Sequence, residues 1–353
     1  MKNYIIRDNT FKYDITNAPS QKVGDKVNIY DNKNYTFRYM TVGGKSISQD
    51  EMSPNLKEHI KRLKIPPAYQ NVKINLNGDD DILAIGRDDK GRPQYIYNKA
   101  FTEKNEDKKY YNLIEFGRLY KRIMTRINAD LVGEDCVAKE IATVLKIISE
   151  CNFRIGNDLY KENYNSYGVS TLESKHVKIK GDNIDISFIG KKGVHNKCSI
   201  KHKKLSRNLR HKKKLTKSKS NSTSSKGLFN ISNQQINNYL KDFGDFSSKN
   251  FRTWNANIEY IFNIQYIDED YGRSVKEVSD YNRKVLSNRA VEKVAEQLHH
   301  TSSVCKNKYI DKYLIDMYIN DNAGFYKQFK IKGNRNKNLI IEQFIQYLKR
   351  SFS

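Results

Sequence analysis

The chain has 353 residues, enough for about two domains with a proper core. Its 64 Lys and Arg against 40 Asp and Glu give a formal net charge of +24, which favours an anionic partner, nucleic acid or an acidic membrane face. An aromatic share of 11%, with 24 Tyr, excludes a disordered basic tail. The four cysteines, Cys136, Cys151, Cys198 and Cys305, lie far apart, with no CxxC pair and no His at zinc-finger spacing. No metal site or disulfide framework is therefore expected, and a reducing compartment is the default. The N-terminus lacks an apolar signal core and no run of about 18 apolar residues occurs, so an intracellular protein that is neither secreted nor membrane-bound is expected.

Residues 1–105 read as short strands and turns. Alternation in Ile82-Leu83-Ala84-Ile85 and in Gln94-Tyr95-Ile96-Tyr97, around Asp88-Asp89-Lys90-Gly91, predicts a β-hairpin. From about Glu106 the period changes: Leu113, Phe116, Tyr120, Ile123 and Ile127 recur at helical spacing. A second helix follows, with Val137, Ile141, Val144, Leu145 and Ile148 inward. The change near residue 105 predicts a domain boundary, with 106–353 as the second domain.

Residues 175–202 return to strands: HVKIK, the turn Gly181-Asp182-Asn183, IDISFIG and a tight tip at Lys191-Lys192-Gly193. Between Lys201 and Lys226 stand 11 Lys or Arg and no acidic residue. A mobile basic loop over about 211–226 is expected there, because so little apolar area can be buried. The remainder predicts helices over 234–243, 251–261, 282–298, 303–319 and 339–353. The fold class is thus α+β: a small β-rich domain, then a mainly helical one with a three-stranded antiparallel sheet.

Five residues need weighing together: Arg154 in CNFRIGN, Lys191 in FIGKKG, Arg252 in KNFRTW, His300 in LHHTSS and Tyr309 in CKNKYID. Singly, each has a bland reading. Arg154 can complement a helix end, Lys191 can be a solvated turn residue, Arg252 can pair with any carboxylate, His300 can be a satisfied polar group, and Tyr309 is one of 24 tyrosines.

Their order changes the odds. Two Arg, a hairpin Lys, a His and a Tyr nine residues later in a helix resemble the type IB topoisomerases of poxviruses, mimiviruses and bacteria. Family-like blocks run through most of the chain: IPPAYQNV (65–72), GRDDKGRPQYIYNKA (86–100), EFGRL (115–119), FRIGND (153–158), TLESKHVKIKGDNIDISFIGKKG (171–193) and DFSSKNFRTWNANI (245–258). The resemblance implies a tyrosine recombinase/topoisomerase IB catalytic fold. It implies Tyr309 as nucleophile, Arg154, Arg252 and His300 as donors to the non-bridging phosphate oxygens, and Lys191 as proton donor to the leaving 5′-oxygen. It further implies a monomer clamping double-stranded DNA, no cofactor, no metal and no ATP. A virion or cytoplasmic viral factory is the expected location if the source is viral.

Weaker carry-overs concern DNA contact. Gln94, Tyr95 and Tyr97 match a QYxY strand, with Lys90 and Arg92 on the preceding turn, and Tyr160, Lys249 and Asn257 match DNA-contacting positions. Against this, Tyr95 and Tyr97 share a strand face and can simply pack. The chain departs from the poxviral pattern at Lys192, where Asp follows the active-site Lys, and at Asn157, where Lys stands. His299 (usually Gly), Lys192 and Tyr313 are the near rivals of His300, Lys191 and Tyr309. A tyrosine recombinase is the rival enzyme, but Lys249 occupies the place of its usual His, three residues before the second Arg. A non-enzymatic basic DNA-packaging protein would leave the ordered blocks accidental.

Overall fold

The computed structural model describes residues 4–13, 33–89, 91–218, 227–270, 279–329 and 336–350. The chain divides into two compact units, 1–108 and 109–353. In the first, β1 (Tyr4–Tyr13), β2 (Lys33–Met40), β3 (Ser46–Ile47), β4 (Gln70–Asn75), β5 (Ile82–Arg87) and β6 (Pro93–Tyr97) form one sheet in the order β3-β2-β1-β4-β5-β6. Every pairing is antiparallel. The predicted hairpin is β5–β6, with Ile85 opposite Tyr95 and Gly91 at φ 71 in the turn. The sheet buries Ile5, Tyr39, Val72, Ile74 and Ala84.

A helix absent from the sequence reading, α1 (Pro54–Arg62), covers part of this core with Leu56 and Ile60. Its start was readable: the Ser53 hydroxyl accepts from the Leu56 amide at 3.3 Å, and Pro54 stands where no amide is needed.

The second region is mainly helical. Helix α2 (Lys99–Asp130) buries Leu113, Phe116, Ile123 and Ile127, the predicted face. Helix α3 (Cys136–Cys151), capped by Asp135, buries Ile141, Val144, Leu145 and Ile148, whereas Val137, expected inward, is exposed in its first turn. A short α4 (Asp158–Tyr164) precedes the sheet of β7 (Val177–Lys180), β8 (Asn183–Ile189) and β9 (His195–Lys201), ordered β7-β8-β9 and antiparallel throughout. Then follow α5 (Lys203–Ser218), α6 (Asn233–Lys241), α7 (Lys249–Asp270), α8 (Asp280–Gln297), α9 (Ser302–Lys308), α10 (Lys312–Asn320), α11 (Asn322–Gln328) and α12 (Lys337–Arg350). One apolar cluster joins these helices to the inner face of the small sheet through Ile184, Ile186 and Phe188. Among the described residues no helix is long and apolar enough to cross a membrane.

Three expectations need correction. The predicted helix over 303–319 is two helices, α9 and α10, with Tyr309 in the break. The basic stretch over 211–218, expected as loop, is the second half of α5, while 219–226 lie outside the described residues. Leu205 and Leu209 anchor α5 in the core, and its charges find partners remote in sequence. Lys212 pairs with the buried Glu140 of α3, Lys213 donates to the carbonyls of Ser174 and Val177, and Arg210 donates to that of Gly181.

The third correction is that Cys151 and Cys198 form a disulfide, with Cα atoms 5.7 Å apart, joining the end of α3 to β9. They are 47 residues apart, and only the packing of sheet on helix brings them together.

The Glu140–Lys212 pair sets a stability test. Lys212→Ala should cost about 1–3 kcal/mol in urea unfolding, because it strips a charged partner from a buried carboxylate. Lys214→Ala, exposed on the same helix, should cost less than about 0.5 kcal/mol.

Candidate active site

The five candidate residues come together from five separate segments, each held by backbone geometry. Arg154 follows α3. That helix stops at Asn152, whose left-handed backbone (φ 56) Asn tolerates better than most residues, and the Asn255 amide donates to its side chain at 2.7 Å. The chain then turns past the buried Phe153. The carbonyl of Arg154 accepts from the Val169 amide at 2.9 Å, and that of Ile155 from the Ser170 hydroxyl at 2.8 Å. Two glycines permit this pairing. Gly156 sits at φ +110, and a Cβ on Gly168 would overlap the Gly156 backbone.

Lys191 stands at the tip joining β8 to β9, where Ile189 faces His195 and the Gly190 amide donates to the Val194 carbonyl at 2.8 Å. Lys192 takes the left-handed conformation (φ 65) and Gly193 follows at φ 75. Arg154 and Tyr309 lie near enough to Lys191 to act on its charge. Partial loss of solvation lowers its pKa first, with the charges of Arg154 and Lys192 adding, although the residue as a whole stays exposed.

Arg252 lies one turn into α7, in a helix anchored by Phe251 and Trp254, and is 3% exposed. One guanidinium nitrogen, Nη2, donates to the Leu298 carbonyl at 2.9 Å. Its Nε and Nη1 are buried with no hydrogen-bond partner among the described residues. Burial is the main influence lowering its pKa.

His300 is placed by the end of α8. Its amide donates to the Ala295 carbonyl at 2.9 Å and that of His299 to Glu296 at 3.1 Å, the double bond of a Schellman turn, with His299 left-handed at φ 51. That explains why glycine is usual at this position. The His299 ring stacks on Phe153 at 5.4 Å, so the rival histidine faces the core. His300 faces the cluster: Arg154 Nη2 donates to its Nε2 at 2.6 Å, and its ring lies 5.8 Å from that of Tyr309. Burial, then Arg154 and Arg252, push its pKa down to about 4, so the ring is neutral at pH 7. The Thr301 amide also approaches Nδ1, at 3.2 Å. A neutral imidazole has one lone pair for these two donors, so neither tautomer satisfies both.

Tyr309 occupies the break between α9 and α10, half-buried, with Arg154 Nη2 donating to its hydroxyl at 3.4 Å and the Arg252 guanidinium 5.3 Å from its ring centre. The rival Tyr313 is 56% exposed and packs edge-on against Tyr110.

The expected DNA-contact residues divide. Tyr160 on α4 and Lys249 at the start of α7 are exposed. Tyr95 and Tyr97 stack at 6.0 Å yet stay nearly half exposed, so packing and display coexist on one face. Arg92 and Gln94 both bind Asp88, at 2.6 and 2.9 Å, which neutralises much of that turn's charge. Lys90 lies outside the described residues. Asn257 is not at the surface. It is wholly buried, its amide donates to the Tyr309 carbonyl at 3.1 Å, and its Oδ1 accepts from the Asp311 amide at 2.7 Å. Among the described residues no group of three or more His, Cys, Asp or Glu is arranged to hold a metal ion.

Gly168→Ala tests the Arg154 scaffold. The added methyl must displace the Gly156 backbone, so turnover at this site should fall on the order of 10²-fold, the value of one misplaced preorganised donor. Gly43→Ala, at an exposed turn without a left-handed backbone and with room for a Cβ, should retain activity close to wild type.

Comparison with known proteins identifies the family. Residues 98–332, two thirds of the chain, match the family of the eukaryotic DNA topoisomerase I catalytic core, and residues 36–88 match the N-terminal domain of bacterial DNA topoisomerase IB. DNA topoisomerase 1B of Acanthamoeba polyphaga mimivirus is 29% identical over 298 residues, covering 80% of this chain and 85% of that one. DNA topoisomerase I of Monkeypox virus is 27% identical over 278 residues, covering 77% and 83%. DNA topoisomerase 1 of Mycosarcoma maydis is 23% identical over 245 residues, covering 61% of this chain and 24% of that longer protein. A helical domain built on a three-stranded antiparallel sheet, preceded by a β-rich region and matched over two thirds of its length, places the chain in the type IB DNA topoisomerase family.

Proposed function

We propose that this enzyme relaxes supercoiled double-stranded DNA by cutting one strand with Tyr309, letting the duplex swivel and resealing it, as a monomer clamping the duplex and without ATP or metal. The observation that carries the reading is the convergence on Tyr309 of Arg154, His300 and Arg252, the last with two buried N–H groups that have no hydrogen-bond partner among the described residues. Burying a donor unpaired is costly, so a fold keeps such groups where a ligand atom meets them.

Attack of the Tyr309 oxygen on phosphorus forms the 3′-phosphotyrosine bond and breaks the bond to the 5′-oxygen. The phenol loses one proton and the departing 5′-oxygen gains one. Negative charge builds on the non-bridging oxygens between these events. Arg252 keeps the N–H groups of Nε and Nη1 uncommitted among the described residues, and either can be offered to such an oxygen. Arg154 and His300 converge on a second, with the His300 proton on Nε2 and the Thr301 amide at Nδ1. An oxygen set between Arg154 Nη2 and His300 Nε2 accepts from both and resolves their competition for one lone pair. Lys191, its pKa already lowered, supplies the proton to the 5′-oxygen. The covalent bond to Tyr309 conserves the energy of the cut linkage, so religation runs the steps in reverse. Tyr160 and Lys249 offer phosphate contacts beside this centre, and Tyr95 and Tyr97 offer rings and hydroxyls from the first unit.

The deciding assay is plasmid relaxation in EDTA. Wild type should change linking number, and Tyr309→Phe should bind DNA yet neither relax plasmid nor form a denaturation-resistant adduct. An adduct in that variant, mapped to Tyr313, would overturn the assignment.

Lys191 is tested by the leaving group. Lys191→Ala should cleave ordinary DNA very slowly, but DNA with sulfur at the bridging 5′ position at nearly the normal rate, because a thiolate leaves without a proton. Arg252→Ala should gain no such rescue, and Lys192→Ala should cleave both substrates well. Rescue of Lys192→Ala in place of Lys191→Ala would move the proton donor one residue along.

A further inference from the structure

The turn that carries Tyr309 is gripped by a carboxylate that the chemistry above does not use. Asp311, two residues on, is 7% exposed. Its Oδ1 accepts from the Tyr313 amide at 3.0 Å, which caps α10, and its Oδ2 accepts from the Tyr347 hydroxyl of α12 at 3.2 Å. Its own amide donates to Asn257 of α7, whose side chain also holds the Tyr309 carbonyl. The turn around the nucleophile is thus tied to α7 through Asn257 and to α12 through the Asp311 carboxylate, which also caps α10. Burial raises the Asp311 carboxyl to about 6, and the Tyr313 amide, the Tyr347 hydroxyl, Lys109 and Lys312 oppose that rise. The Tyr347 ring is seated independently, packed 5.9 Å from Phe344 and 5.7 Å from Phe329, so its hydroxyl can be removed without emptying the site.

We propose that Asp311 and Tyr347 are positioning residues for Tyr309: the C-terminal helix, through the Tyr347 hydroxyl and the Asp311 carboxylate, fixes the turn from which the nucleophile attacks. The inference rests on Tyr309 being that nucleophile. Its physical content is an entropy difference. With the free phenol, a loosened turn gains conformational freedom that attack then removes. In the covalent adduct the phosphodiester already holds Tyr309, so loosening changes that state and the transition state alike. Removing the clamp should therefore slow cleavage and leave religation almost unchanged, lowering the equilibrium ratio of covalent to non-covalent complex by the same factor as the cleavage rate. Loss of folded protein, or weaker DNA binding, lowers amplitudes and affinity without changing that internal ratio in bound enzyme.

The test is single-turnover cleavage and religation on one duplex oligonucleotide, with non-covalent affinity measured in the Tyr309→Phe background. Tyr347→Phe should slow cleavage roughly three- to tenfold, the worth of about one hydrogen bond, with religation and affinity within about twofold of wild type. Sulfur at the bridging 5′ position should not restore the rate, because the defect lies in the nucleophile and not in the leaving group. Asp311→Ala should be slower than Tyr347→Phe, and Asp311→Asn, which keeps an acceptor, should recover most of the loss. Should Asp311→Ala fail to fold, Tyr347→Phe carries the test alone. Unchanged cleavage in Tyr347→Phe, or equal slowing of cleavage and religation, overturns the clamp while adduct mapping to Tyr309 leaves the nucleophile standing. Mapping to Tyr313 instead sinks the nucleophile assignment itself.

Discussion

Arg154, Lys191 and Arg252 repel one another, and the fold has to keep all three beside one phenol in a partly dry setting. Among the groups that shift Lys191, Arg252 and His300, none is a carboxylate. An acid placed among them would ease the repulsion and cancel the field that a phosphoryl group is to meet. The holding is done instead by peptide groups. The Leu298 carbonyl takes one guanidinium donor, a Schellman turn aims His300, and amides from 169–170 fasten the Arg154 segment. Carbonyl dipoles satisfy donors without neutralising the cations that carry them, which is what a preorganised anion site demands.

Carboxylates are put to use elsewhere in this unit, where they fasten scaffold to scaffold. Glu140 joins α3 to α5 through Lys212. Glu173 takes Lys161 from α4 and Lys175 from its own turn, at 3.4 and 2.8 Å. Burial alone would raise the Glu173 carboxyl, but the two lysines hold it below the usual range. The α4 helix, with the exposed Tyr160, is thereby tied to the segment leading into the three-stranded sheet whose tip bears Lys191. The protein separates its charges by function: the central cations are held by peptide groups, and the ion pairs of Glu140 and Glu173 fasten one element to another.

Much of this was legible in the sequence, for reasons that differ by element. The inward faces of α2 and α3 follow from a helical period that tertiary packing does not disturb. The hairpin tip at Lys191 follows from two apolar alternations meeting at Lys-Lys-Gly. The order of Arg154, Lys191, Arg252, His300 and Tyr309 was visible through resemblance, since no single residue announces its role. What was missed depends on partners remote in sequence. The run of lysines in α5 looks unfoldable until Glu140 and the carbonyls of Ser174 and Val177 are brought to it. Asn257 looks like a surface amide until Tyr309 and Asp311 close over it. The break at Tyr309 did leave a local signal, since Asp311 before Lys-Tyr-Leu is a good helix cap, but continuous apolar spacing masked it. The disulfide left none, because cysteines 47 residues apart carry no distance information.

That disulfide has a topological consequence. Residues 151–198 form a closed covalent ring, and Arg154, the α4 helix and Lys191 all lie on it. Two of the site's cations therefore remain neighbours along a loop even when the chain unfolds. On a chain-entropy view, closing a ring of this size removes about 4 kcal/mol of freedom from the unfolded ensemble. Refolding then begins with the first arginine and the lysine hairpin already confined to a small volume, and only the segments bearing Arg252, His300 and Tyr309 must be recruited from further along the chain.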